Sequence, residues 1–344
     1  MGMEIGIVGL PQSGKSTLFE IMTGVRGRDA HGEACVRGQA SVPDARFDRL
    51  VEIFRPVKVT PASVPFVDIN AAGEKAWNTI RQNLSGADGL VHVVDGFSAA
   101  AAGEIAGRYR KLADELILAD LLIVENRLER LSRTPAKALH PQEALQRDLL
   151  PGLKAHLEAG RPLREMNLAD EQVLALRSFS FWTIKPELVV INTGEDVAAV
   201  EPAALVLPAG QPQIRICARL EAEIAALPAG ERQDYLAAMG IAAPAFTQVI
   251  RTAFAMLARQ VYFTVGEDEV RAWVIPVGAK APQAAAAIHQ DFERGFIKAE
   301  VVGYDEFLTH GGTLAGAKAA GRLRLEGKDY VVRDGDIISF RFNV

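Results

Sequence analysis

The segment Gly9-Leu10-Pro11-Gln12-Ser13-Gly14-Lys15-Ser16-Thr17 constrains this chain more than any other stretch of it. It fills every fixed position of the pattern G-x-x-x-x-G-K-[ST]. Residues 3–8 before it read as a short buried strand, and residues 15–22 after it read as a helix free of Pro and Gly. A strand, a glycine turn and a helix start aim several backbone N–H groups and the positive helix end at one anion. Gly9 and Gly14 let the backbone turn with φ > 0 and approach phosphate without a Cβ in the way. The pattern predicts that Gly9, Gln12, Ser13, Gly14, Lys15, Ser16 and Thr17 hold the phosphates of a nucleoside triphosphate. Lys15 reaches the β/γ-phosphates as the catalytic cation, and the Ser16 hydroxyl sits on Mg²⁺.

A chain of 344 residues has room for about two domains. With 49% apolar and 24% charged residues it can bury a real core and stay soluble. Cys35 and Cys217 lie far apart and show no metal or redox spacing, which points to a reducing compartment. No apolar run approaches the roughly 18 residues of a membrane span. The first strand begins too early to leave room for a leader. The expectation is a soluble, cytoplasmic protein without membrane contact. A net charge of −5 gives no global pull toward nucleic acid, so any RNA contact would be local.

Along the chain, residues 24–38 carry four glycines and little apolar content, and read as a mobile loop. Phe47, Leu50, Val51 and Phe54 have the spacing of an amphipathic helix that ends at Pro56. Residues 63–68 form an apolar strand ending in Asp68, placed to hold Mg²⁺ through water beside the phosphate loop. Residues 73–84 read as a helix, and 90–95 as a central strand in which His92 is a packed residue. From 103 to 131 a long helix carries Ile117, Leu121, Val124, Leu128 and Leu131 as one seam. Leu145, Leu149, Leu153 and Leu157 sit on a returning helix, giving an antiparallel hairpin. Strands at 187–192 and 213–218 resume the α/β alternation of a mostly parallel sheet, followed by a helix over 246–257. From residue 262 the pattern changes to a compact β domain. It has strands at 270–275 and 296–302, an alanine-rich helix over 283–290, and a final hairpin of 329–332 with 337–342.

Certain stretches identify a family. The sequences Gly266-Glu267-Asp268-Glu269-Val270-Arg271-Ala272-Trp273 and Ala281-Pro282-Gln283-Ala284-Ala285 resemble the TGS domain of the YchF family, the Obg-related P-loop NTPases. So do residues 291–301 and Leu325-Glu326-Gly327-Lys328-Asp329-Tyr330. Residues 115–121 resemble the start of that family's helical insertion, and 9–17 its phosphate loop. The resemblance implies a P-loop NTPase G domain over 1–114 and 183–261, an inserted helical hairpin over 115–182, and a β-grasp (TGS) domain over 262–344. It further implies association with the ribosome or ribosomal RNA, and hydrolysis of ATP in preference to GTP.

The base preference has a physical reading. GTPases use Asn-Lys-x-Asp, whose Asp accepts two N–H bonds from guanine, whereas this chain has Asn192-Thr193-Gly194-Glu195. The packing Lys is absent and the longer Glu195 misplaces its carboxylate for guanine's edge. A buried acceptor left without its donor costs roughly 1–3 kcal/mol, about tenfold or more in preference. Asn192, Glu195 and Ala218 are therefore the candidate base site at the strand ends. Both switch regions depart from the family. No Thr occurs between Thr23 and Thr60, and Asp-x-x-Gly becomes Asp68-Ile69-Asn70-Ala71. Slow Mg²⁺-dependent ATP hydrolysis is the expected activity. The alternative is a scaffold that holds ATP or GTP without useful hydrolysis and docks a partner through its helical and TGS domains.

Overall fold

The computed structural model describes residues 3–26, 35–69, 86–99, 101–195 and 211–343. In chain order the elements begin β1 (Ile5–Val8), α1 (Lys15–Thr23), β2 (Cys35–Ser41), α2 (Ala45–Phe54), β3 (Lys58–Thr60), β4 (Ser63–Ile69) and β5 (Gly89–Asp95). There follow α3 (Ala102–Ser132), α4 (Pro141–Glu158), α5 (Asp170–Leu176), β6 (Glu187–Asn192), β7 (Gln213–Ile216), α6 (Ala218–Ala226), α7 (Ala229–Ala238) and α8 (Ala245–Met256). The chain closes with β8 (Arg259–Thr264), β9 (Glu269–Pro276), α9 (Ala281–Ala286), α10 (Gln290–Arg294), β10 (Phe296–Gly303), α11 (Tyr304–Thr309), α12 (Leu314–Ala319), β11 (Arg324–Glu326) and β12 (Asp336–Phe342).

Packing divides the chain into two compact units: Met1–Gln39 with Pro65–Ala253, and Ala40–Val64 with Phe254–Val344. The first is built on a sheet of order β2-β4-β1-β5-β6-β7, parallel at β4-β1, β1-β5, β5-β6 and β6-β7. Its central strands are mostly apolar because both faces are covered, and β5 is buried from Gly89 to Val94. Leu90, His92 and Val94 share the face under α3, where Leu112 and Leu116 meet Leu90, and Ile105 and Tyr109 meet Val94. Parallel strands put all their C-terminal ends on one edge, where ligands bind in this class of sheet.

α3 and α4 pack as a hairpin over Ile117, Val124, Leu131, Leu150, Leu153 and Leu157, with Leu121 and Leu128 partly buried beside them. The α3 seam is the one the heptad spacing predicts. On α4 the buried residues are Gln146, Leu150, Leu153 and Leu157, not the evenly spaced Leu145, Leu149, Leu153 and Leu157. A strict interval of four outruns a helix of 3.6 residues per turn, so the buried line steps by four, three and four. The buried Gln146 is satisfied: its Nε2 donates to Ala175 O at 2.7 Å and its Oε1 accepts from Arg127 Nη2 at 2.8 Å. The hairpin is anchored by Asp120, wholly buried, which accepts from Trp182 N (2.9 Å), Thr183 N (2.8 Å) and Thr183 Oγ1 (2.7 Å). Desolvation still dominates there and raises the Asp120 carboxyl to about 6.

The second unit is a sheet of order β11-β10-β12-β8-β9-β3. Pairing is antiparallel at β10-β11, β10-β12 and β8-β9, and parallel at β12-β8 and β3-β9. Residues 40–64, expected with the phosphate loop, pack here. β3 adds to β9, and α2, capped by Asp44, lays Phe47 against Phe263 and Phe54 against Phe307. The alanine-rich helix over 283–290 is instead α9 and α10, divided at residues 287–289. Residues 329–332 form no strand: β11 lies earlier, and β12 pairs with β10 and β8. The Arg333-Asp334-Gly335 turn reads like a hairpin locally, but Ile337 and Ile338 bury themselves beside strands distant in sequence. The expected loop over 24–38 is strand from Cys35 onward. Residues 27–34 and the helix expected at 73–84 lie outside the described residues.

Candidate functional site

The phosphate loop leaves β1 at Val8 and enters α1 at Lys15. Gln12 and Gly14 both take left-handed backbone conformations, with φ of 65° and 92°. Gly14 is the N-cap of α1. No side chain caps that helix and its first turn holds no acid, so its orphan N–H groups are left free to meet an anion. Glycine is demanded at both ends of the loop. A Cβ on Gly9 would come within 2.6 Å of Val93 O, and one on Gly14 within 2.2 Å of Asn192 Nδ2.

Asn192, at the end of β6, clamps this loop. Its Nδ2 donates to Ser13 O at 3.0 Å, and its Oδ1 accepts from Ala218 N at 3.0 Å. Both ends of the carboxamide are thus engaged by backbone, which ties the loop to the start of α6. The sequence places Asn192 at the base; in the structure it makes these two backbone bonds.

A cavity of about 1050 Å³ opens over the loop. Gln12, Gly14, Lys15, Ser16 and Thr17 line one end, and Asn192, Thr193, Gly194, Glu195 and Ala218 the other. The volume is ample for a nucleotide. Eight of the candidate residues are therefore together in one site. Gly9 and Ser13 lie beneath it, Ser13 almost fully buried, and Asp68 is not among the lining residues. The register Ile7↔Asp68 nonetheless sets Asp68 beside the last turn of chain before the loop, wholly buried at the end of β4. Ser16 and Asp68 are hard oxygen donors, the set Mg²⁺ takes when phosphates and water complete its shell. Among the described residues no cluster of three or more His, Cys, Asp or Glu could hold a metal alone. Asn70 and Ala71, the latter at the place of the family's switch glycine, lie outside the described residues.

Sequence reasoning missed Phe97, Cys217, Arg219, Ala222, Glu223 and Ala226, which also line the cavity. Phe97 is 49% exposed although aromatic, and that exposure in a glycine-flanked turn after a strand was its only signal. Arg219 and Glu223 pair at 3.2 Å one turn apart on α6.

The family model for the YchF GTPase C-terminal region (Protein of unknown function (DUF933)) matches residues 260–343. The chain is 39% identical to the "Ribosome-binding ATPase YchF" of Haemophilus influenzae and to that of Bacillus subtilis, covering all of each chain. It is 34% identical to "Obg-like ATPase 1" of Oryza sativa subsp. japonica, over 99% of this chain and 92% of that one. The solved structure of the Schizosaccharomyces pombe YchF GTPase superposes with a TM-score of 0.83 at 25% identity, covering 99% and 98% of the two chains. No helix among the described residues is long and apolar enough to cross a membrane. The chain belongs to the YchF family of P-loop NTPases.

Proposed function

We propose that this chain binds a nucleoside triphosphate with Mg²⁺ in the 1050 Å³ cavity and hydrolyses it slowly, ATP in preference to GTP, in association with the ribosome. The observation that carries this is the uncapped N-terminus of α1, with Lys15 and Ser16 beside it, facing the same cavity as the Asn192–Glu195 strand end. Lys15 neutralises charge that develops on the transferred phosphoryl group, and the loop amides hold it in place. Mg²⁺, held by Ser16 and by Asp68 through water, supplies further neutralisation when bound. Glu195, exposed at the far end, offers acceptors to an exocyclic amine. The ribosome enters through the printed names of the bacterial relatives.

The test is Mg²⁺-dependent ATP hydrolysis by the purified chain and by Lys15→Ala. Loss of turnover in the variant is expected, and unchanged activity refutes the reading. A second reading is favoured by the sequence Asp68-Ile69-Asn70-Ala71, where alanine stands in place of the conformationally freer glycine whose N–H meets a γ-phosphate in the family. On that reading the chain holds nucleotide as a scaffold. A single-turnover experiment separates the two: full conversion supports hydrolysis, and intact bound nucleotide supports the scaffold.

A further inference from the structure

A buried dyad stands beside the phosphate loop, and neither the loop nor its nucleotide cavity makes use of it. His92 of β5 is 1% exposed, and its Nδ1 donates to Glu187 Oε1 at 3.0 Å. The Glu187 side chain has no exposure at all. It is held by Arg164 Nη2 at 2.6 Å, by Tyr109 Oη at 3.2 Å and by the Gln211 amide. Desolvation, the largest single effect on Glu187, acts upward. The His92 hydrogen bond, Arg164 and Gln211 outweigh it and hold the carboxyl down at about 2. Glu187 is therefore an anion that can only accept, so Nδ1 carries a proton toward it and Nε2 is the ring nitrogen left to take one up. Tyr109 lies against the imidazole, with ring centroids 5.0 Å apart, and fixes its plane.

Nε2 makes no hydrogen bond among the described residues, yet it is not one of the fully enclosed polar atoms lacking a partner. It borders open space. A separate cavity of about 160 Å³ adjoins it, lined by Leu10, Pro11, His92, Val93, Val94, Asp95 and Arg108. That volume holds several waters. Its polar wall is the pair Arg108 Nη1–Asp95 Oδ2 at 2.6 Å. Leu10 and Pro11 are the first half of the phosphate loop, and Gln12 and Gly14 to Thr17 line the nucleotide cavity, so the loop is the partition between the two. The base-end residues Asn192 to Glu195 and Ala218 border only the larger space. A base oriented by a buried carboxylate, on a residue that lines a small cavity behind the first half of the phosphate loop, is placed to take up a proton through water.

We propose that His92 receives, through water in this cavity, the proton released when water attacks the terminal phosphate. The water oxygen bonds to the terminal phosphorus, and the bond from that phosphorus to the bridging oxygen breaks. Its electron pair leaves with the nucleoside diphosphate. The surplus proton passes along the cavity water to Nε2, and Glu187 stabilises the imidazolium until the proton returns to solvent. His92 touches no substrate; it is a positioning and proton-accepting residue. This inference rests on the hydrolytic reading above.

The experiment is the pH dependence of single-turnover ATP hydrolysis between pH 5 and 9, with binding of a fluorescent ATP analogue measured alongside. The charged and titrating groups around the imidazole are Glu187 from β6, Tyr109 and Arg108 from α3, Asp95 on its own strand, and Arg164 and Gln211 behind Glu187. The wild type should lose rate on the acid side with a single ionisation. His92→Asn keeps a donor toward Glu187 and removes Nε2. It should hydrolyse about tenfold or more slowly, lose the acid limb, and bind the analogue as before. Glu187→Gln should slow hydrolysis while leaving analogue binding unchanged, because the imidazolium loses its counter-charge. Wild-type hydrolysis that is flat across this range overturns the inference without any variant, as does a folded His92→Asn with wild-type rate and profile. A wild type that binds the analogue but converts none refutes the hydrolytic reading itself, and this inference with it.

Discussion

Asn192→Ala is the substitution that most directly examines how the site is held together. The carboxamide is 6% exposed for the residue as a whole and makes two backbone bonds of 3.0 Å, to Ser13 O and Ala218 N. Truncation leaves both backbone groups unpaired, at about 1–3 kcal/mol each where no water reaches. Ala218 lines the nucleotide cavity, so water can reach its N–H and the cost there lies near the lower end. Ser13 is almost fully buried, and its carbonyl lacks that relief. The sum is about 2–4 kcal/mol for the unit that carries the loop. At about 2–4 °C per kcal/mol for a unit of this size, the melting temperature should fall by roughly 4–16 °C. Nucleotide affinity should fall by about tenfold or more, since the loop amides are then held less firmly on the phosphates. Asn192→Asp is the informative companion. It retains the acceptor for Ala218 N but, when ionised, sets an anion against Ser13 O and into the phosphate site. It should therefore bind nucleotide less well than the alanine variant despite its matching shape. The assays are thermal melting of the nucleotide-free protein and equilibrium titration with labelled ATP. An alanine variant that melts with the wild type and binds equally well would show that the clamp contributes nothing.

Gly14→Ala should lose more than tenfold in nucleotide affinity by the same titration. The backbone there sits at φ 92°, costing a side-chain-bearing residue about 1–2 kcal/mol, and the new Cβ would lie 2.2 Å from the Asn192 amide. Acid should unfold this unit in a way that Glu187 controls. Its carboxyl is at about 2, below its ordinary 4.5, so it contributes stability above pH 4.5 that disappears as the pH falls toward 2. The full span amounts to about 3 kcal/mol. Asp120 works in the opposite sense. Raised to about 6, it imposes a cost above that pH which is relieved between pH 6 and 4. Urea titrations across pH 2–7 should show stability rising as the pH falls from 6 toward 4.5 and dropping below that. Glu187→Gln should lose that drop in proportion, and an unchanged acid limb in the variant would count against the assignment.

What the sequence could disclose followed from how local the cause was. The phosphate loop, α1 and the α3 seam depend on residues within a few turns of one another, and all were legible before any fold was known. The misreadings share a different origin. The chain over 329–332 resembles a hairpin arm, yet Ile337 and Ile338 are claimed by β10 and β8, far off in sequence. Residues 40–64 follow the phosphate loop directly but give β3 to β9. Nothing local marks either choice, because strand pairing is settled by which buried edge is open. The dyad escaped for the same reason. His92 and Glu187 are separated by most of the helical hairpin, and a histidine inside an apolar strand looks like packing until its partner is known.

On the proposed reading, the residues that would grip phosphate and those that would respond to it belong to different parts of this chain. The grip depends on Gly9, Gly14, Asn192 and the uncapped end of α1, where each close approach and backbone bond is in place. The departures from the family sit at the two segments that would sense a γ-phosphate: the missing Thr between 23 and 60, and Asn70-Ala71 after Asp68. Affinity and response are therefore separable in this protein. Changes to the clamp should alter both nucleoside di- and triphosphate binding by similar factors, because they act on amides common to both ligands. Restoring glycine by Ala71→Gly should instead raise triphosphate affinity relative to diphosphate, since the freer backbone there favours a response to the γ-phosphate alone. A restored glycine that leaves the ratio of the two affinities unchanged would mean that triphosphate sensing in this chain resides elsewhere.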